Sequence, residues 1–305
     1  MSRETIGKSN RLSGRKGLGE TPIPWLAPLV IILLTLFIYP MFDILRLSFT
    51  NARIGETEYN YTFNSFLNLF QDSGFYAMLK VTAFFVFFSV VFQMVLGLII
   101  ALSVDKGESM NLRGTVFVRT VALISMVIPG VIIGIIWRMM YDESPTGILN
   151  YFLTLIGVGH VRFLTDPFIA VVSATVANVW RGTAQSMILL YSGLKTVPGE
   201  TLEAARVDGA SAAGRLFKII IPSVMPVMLI NLILNTIYTF NTFDMVMTLT
   251  GGGPGRSTEV LALSAYTQIF QLLDLGRGSS VAVLLLLINS IMAAVYFYIM
   301  KKSEV

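Results

Sequence analysis

The chain has 305 residues, 54% of them hydrophobic and only 13% charged, against roughly 25% charged in an average soluble domain; with a mean hydropathy of +0.73, this excludes a soluble globular protein. The 22 Lys and Arg against 18 Asp and Glu leave a net charge of +4, which gives no support to a nucleic-acid-binding surface. Zero cysteines exclude disulfides, thiolate metal sites and a Cys nucleophile, and a single histidine, His160, excludes a His-rich metal centre.

Residues 1–22 are polar and basic and lead into an apolar run too long for the core of a cleaved signal peptide. They read as a cytoplasmic leader that stays attached, ahead of a transmembrane domain over residues 23–305. Apolar stretches follow at about 24–47, 78–103, 115–141, 167–194, 223–246 and 278–300. Each reaches the roughly 20 residues that a spanning helix needs, so the fold class expected is an all-α integral membrane protein with six transmembrane helices. A β-barrel would instead show short alternating segments. Segments 1–22, 104–114, 195–222 and 301–305 together hold 13 Lys and Arg, whereas 50–77, 142–166 and 247–275 hold three. That bias predicts cytoplasmic N- and C-termini in a multi-pass inner-membrane protein. Arg46, Lys80, Arg119, Arg138 and Arg277 lie close enough to span ends to snorkel; Arg181 does not.

Between the first two spans, Phe63, Phe66, Leu67 and Phe70 recur at helical spacing within Thr62 to Tyr76, which predicts an interfacial segment lying on the bundle. Phe84, Phe85, Phe87, Phe88 and Phe92 read as apolar bulk. Pro129-Gly130 falls mid-way along the third span and predicts a kink. His160, near Arg162 in an outer loop, reads as surface polar.

The fourth span carries Asn178, Arg181 and Gln185 at i, i+3 and i+7, on one helical face. The fifth carries Asn231, Asn235, Thr239 and Thr242, again on one face. Two polar stripes are expected to turn toward a shared interior, because lipid would leave them unsatisfied. An arginine near mid-membrane costs roughly 2.5 to 3.5 kcal/mol even on the lenient insertion scale, so Arg181 must face a partner, water or a passing solute. Asp244, about one turn further on, is placed to pair with Arg181 or to line the outer mouth.

The connection over 195–222 stands apart. Pro198 opens a short helix, Gly209 stops it by taking positive φ, and Ser211 caps a second short helix expected to end before Pro222. Two short helices at a tight turn make a knob, and Ala204, Ala205 and Ala210 let another backbone come close. Nothing catalytic accompanies it. Gly7-Lys8-Ser9 lacks the first glycine of a P-loop, since that place is Ser2, and there is no H-E-x-x-H, no G-x-S-x-G and no paired carboxylate within a span. Energy for uphill work would have to come from another subunit.

Glu203-Ala204-Ala205, Asp208-Gly209-Ala210 and then Phe217, Ile220 and Pro222 resemble the EAA loop of the membrane subunits of binding-protein-dependent ABC importers. Leu249-Thr250-Gly251-Gly252-Gly253-Pro254, followed by Thr258, Tyr266 and Phe270, resembles the outer loop of the carbohydrate-uptake permeases, those for maltose and glycerol-3-phosphate among them. The resemblance covers most of 24–300 and is sharpest over 170–270. It implies the type I importer fold and a permease subunit, not an enzyme. The partners implied are a second homologous permease, two ATP-binding cassette ATPases and an extracytoplasmic solute-binding protein, in a lipid bilayer and without nucleic acid. No cofactor is expected in this chain, since ATP and Mg would sit on the ATPases. Glu203, Ala204, Ala205, Asp208 and Gly209 become the ATPase-coupling residues, and Asn178, Arg181, Gly182, Gln185, Asn235, Thr239, Thr242 and Asp244 the substrate path. Carbohydrate cargo follows from the Gly-rich loop. Arg181 stands where the family carries an uncharged residue, which points to an anionic sugar or, alternatively, to a structural pair with Asp244. The rival readings are a permease for another small solute and a carrier working without ATPases, which would need ionisable residues shared between inverted halves.

Overall fold

The computed structural model describes residues 23–144 and 147–303; the leader expected over 1–22, with Gly7-Lys8-Ser9, lies outside them. Two compact units divide the chain, 1–46 and 47–305. The first contributes most of helix α1 (Trp25–Leu47), a predominantly apolar 23-residue helix whose ladder loosens to a π turn at Leu34–Ile38. Near its end Arg46 pairs with Asp43 at 2.7 Å.

The second unit is helical throughout, with two isolated bridges, Thr50 to Tyr61 and Arg53 to Asp274, and no strand among the described residues. The aromatic segment expected to be interfacial forms α2 (Asn64–Gln71), which packs on the first turn of α3 and on α12. Asp72 then opens α3 (Ser73–Ser109) by accepting the Gly74 N–H at 2.8 Å. That bond, helped by Arg277 2.6 Å away and opposed by partial burial, holds the Asp72 carboxyl below its ordinary value.

The third predicted span is broken rather than kinked. It becomes α4 (Thr115–Val127) and α5 (Gly130–Met140), bent 105° apart. Pro129 offers no N–H and pushes Ile128 to extended backbone (φ −71°, ψ 128°), so the helix stops and restarts. A short helix, α6 (Ile148–Leu155), precedes α7 (Pro167–Leu194), which is capped by Asp166 through the Phe168 and Ile169 N–H groups.

After α8 (Gly199–Val207), Ser211 does cap a helix, by accepting the Gly214 N–H at 3.0 Å, but that helix does not end before Pro222. It runs on as α9 (Ala212–Phe240). Pro222 cannot donate to the preceding turn and its ring crowds it; the chain absorbs this by widening Leu216–Ile220 to π geometry. The fifth span is also shorter than expected at its far end. It stops at Phe240, and Asp244 begins a separate helix, α10 (Asp244–Leu249). The chain then passes through α11 (Leu261–Tyr266) to α12 (Leu275–Ser303).

Four described helices, α1, α3, α9 and α12, are long and apolar enough to cross a membrane, and the bent pair α4/α5 makes a fifth crossing if counted as one. The remaining predicted span, the fourth, is α7, 28 residues long. Its polar residues lower its hydropathy, and it is also extensively buried: α3 packs along it closely, with Gly97 against Ser186.

Candidate functional site

The core of the second unit is interrupted along α7. Ala174 and Ala177 belong to one apolar cluster with Phe85, Val90, Ile133 and Met245, while Met187, Leu190 and Leu194 belong to another with Ala101 and Val224. Between them lies a polar layer. It surrounds a cavity of about 580 Å³ lined by Asn178, Arg181, Gly182 and Gln185 of α7, Asn235 and Thr239 of α9, and Thr242 and Asp244 beyond the α9 break. The structure thus brings all eight residues of the expected path around one space, within the roughly 300 to 1,000 Å³ of small-molecule sites.

The lining is braced by bonds between helices. Asn178 donates to the Thr239 hydroxyl at 3.4 Å, Asn235 donates to Ser186 at 2.6 Å, and Gln93 of α3 donates to the Asn178 carbonyl at 2.9 Å. Gly182 leaves room for the Gln93 amide, since a Cβ there would stand 2.3 Å from it. Asn231, expected in the same stripe, is fully buried beside the cavity and donates to the Met94 sulfur. Thr242 does not continue the α9 face as expected. It follows Asn241 past the helix end, yet still reaches the cavity. Gln93, Tyr238 and Asn241 also line it. Gln93 was readable as the one amide side chain in the 37 residues of α3.

Arg181 finds its partner in Asp244, N to O 3.5 Å, each side chain about a third exposed (33% and 30%). The break at Pro129 makes this possible. Gly130, first residue of α5, has the Asp244 carboxylate so close that a Cβ would meet Oδ2 at 2.0 Å. The carboxylate therefore also sits at the end of α5 that favours negative charge. Beyond it α5 and α10 pack tightly, with the Thr248 hydroxyl on the Val131 carbonyl at 3.2 Å.

The knob at the other end of α7 forms on a short tether. Lys195 ends α7 and reaches back to Asp105 at 2.7 Å and Glu108 at 3.0 Å on α3; Tyr191 donates to Glu108, and Arg119 of α4 lies 3.4 Å from it. The Asp105 hydrogen bond, against some desolvation, raises the Lys195 ammonium above its usual range. Four residues on, α8 presents Glu203 and Ala204, followed by Asp208 and Gly209, all exposed, with Ala205 half-buried. Gly209 has φ +78°, as expected, and the Ala210 N–H closes on the Ala205 carbonyl at 2.9 Å. Arg215 donates to the Ala210 carbonyl at 2.5 Å and so ties the turn to α9. The Gly-rich loop after α10 is likewise closed on itself, Thr258 bonding both Thr250 and the Gly253 carbonyl at 2.7 and 2.8 Å. His160 is held by the Glu143 carbonyl at 2.6 Å.

Residues 93–304, holding both the cavity and the knob, match the family model of the binding-protein-dependent transport system inner membrane component. The chain belongs to that family. Similar proteins include the trehalose/maltose transport system permease protein MalF of Thermococcus litoralis, 35% identical over 72% of either chain. Another is the sn-glycerol-3-phosphate transport system permease protein UgpA of Agrobacterium fabrum, 28% identical over 92% of this chain and 95% of that one. These likenesses put the permease with those of the carbohydrate-uptake type. Its fold is similar to that in a crystal structure of a bacterial ABC transporter involved in import of the acidic polysaccharide alginate (TM-score 0.79, 20% identity, 92% of this permease and 94% of that chain).

Proposed function

We propose that this permease carries a carbohydrate across the membrane by alternating access, driven by two ATPase subunits that hold ATP and Mg, alongside a second homologous permease and an extracytoplasmic binding protein. The observation that carries the reading is the cavity: amides and hydroxyls from α3, α7 and α9 converge on one space, and such groups suit a polyol, whose every hydroxyl can donate and accept. The names of the relatives agree, trehalose or maltose in one and a glycerol phosphate in the other. Coupling falls to Glu203, Ala204, Ala205, Asp208 and Gly209, the exposed knob, seated in the ATPase on the cytoplasmic side with both termini. Its short pinned tether favours a lever that moves α3, α4 and α7 together.

An anionic sugar is the second reading, favoured by the Arg181 guanidinium reaching the cavity. Asp244 stands against it.

The test is gentle purification followed by reconstitution. The expected result is co-purification of ATPases and a second permease, with ATP-dependent accumulation of sugar in vesicles supplied with the binding protein. Accumulation against a gradient by vesicles holding this polypeptide alone would refute the proposal.

A further inference from the structure

We propose that Asp244 is the charge selector of the cavity: by engaging Arg181 it leaves the lining electrically neutral, so that an uncharged sugar is admitted and an anionic one turned away. This rests on the reading of the cavity as a sugar path.

Arg181 and Asp244 are the only charged residues among those described around the cavity. They face each other at 3.5 Å, and both retain exposure to the space they line. The remaining polar lining is uncharged: Gln93, Asn178, Gln185, Asn235, Asn241 and the hydroxyls. Asp244 is fixed in place from behind, since Gly130 leaves room for its carboxylate and nothing larger would. An anion approaching Arg181 therefore meets a carboxylate that it must displace or lie beside, and like charges at contact are costly. A neutral sugar meets no such conflict. One hydroxyl can donate to Asp244 while another accepts from Arg181, so the pair serves as a ready-made polyol contact.

The experiment titrates the purified permease–ATPase complex by calorimetry with two probes, trehalose and sn-glycerol 3-phosphate, at low and physiological salt. Under the proposal the wild type binds trehalose at least about tenfold more tightly than glycerol 3-phosphate. Asp244→Asn should shift that ratio by about tenfold or more toward glycerol 3-phosphate, with the gained affinity falling as salt rises. Arg181→Gln weakens trehalose through the lost polyol contact but weakens glycerol 3-phosphate more, and that further shift of the ratio toward trehalose decides the matter if Asp244→Asn fails to assemble. Preference of the wild type for glycerol 3-phosphate, lost in Arg181→Gln, overturns the selector and makes Arg181 an anion ligand. An unchanged ratio in Asp244→Asn also overturns it. Binding of neither probe by the wild type overturns the selector as stated and leaves the sugar reading to be decided by the reconstituted uptake.

Discussion

Gly97 and Gly182 both lie where α3 and α7 meet, and replacing each by alanine should have opposite kinds of effect. At Gly97 the added Cβ would stand 2.4 Å from the Ser186 Cβ, 2.9 Å from the Met187 nitrogen and 3.0 Å from the Ser186 carbonyl carbon. Two of these are backbone atoms and cannot rotate aside. Reaching ordinary contact at 3.4 Å requires the helices to part locally by about 1 Å, an overpacking cost of about 1 to 3 kcal/mol. At Gly182 the obstacle is the end of the Gln93 amide, 2.3 Å away. That side chain can swing, at the loss of its bond to the Asn178 carbonyl, a net cost of about 1 kcal/mol. Gly97→Ala should therefore lower the unfolding temperature of the purified complex by several degrees. Gly182→Ala should lower it less while reducing sugar uptake, since the displaced amide enters the cavity. Thermal unfolding followed by tryptophan fluorescence, with vesicle uptake measured on the same preparations, reads both. An unfolding temperature in Gly97→Ala equal to wild type, or lower in Gly182→Ala than in Gly97→Ala, would refute the packing argument.

Gly209→Pro cannot adopt φ +78° and loses the Gly209 N–H bond to Arg206. ATP-driven uptake should vanish while membrane insertion, measured by fractionation, stays intact; normal uptake would count against the knob as the coupling element. Burial raises the Glu143 carboxyl, but the Leu164 N–H and the Thr165 hydroxyl and N–H outweigh it and hold the group below its ordinary value. Its contribution is then fully present above the unfolded value of about 4.3 and lost as pH falls through the lower folded value. Glu143→Gln should abolish that pH dependence in hydrogen exchange at Leu164 and Thr165, and an unaltered acid profile would contradict the assignment.

The polar stripes were legible because helical periodicity holds wherever the helix does: Asn178, Arg181 and Gln185, like Asn231, Asn235 and Thr239, share faces in sequence and in space. What sequence could not supply was how helices end inside a membrane protein. Pro129 carries a breaker signal but not its size, because a kink and a 105° turn cost the same local hydrogen bond and differ in what packs afterward, here α5 on α10. The break at Asn241–Phe243 has no glycine or proline to announce it, so Thr242 was assigned to the α9 face and Asp244 to the same span. They reach the cavity by another route. Pro222 misled in the opposite sense, since a π turn lets a helix survive a proline. Gln93 was overlooked because a single amide makes no stripe.

The polar belt lies between two apolar clusters that share none of its residues. Exchanging one amide or hydroxyl for another around the cavity thus leaves the greasy layers that hold the bundle together untouched. Such an arrangement lets the solute preference of a transporter drift, one lining position at a time, without renegotiating the architecture that carries it.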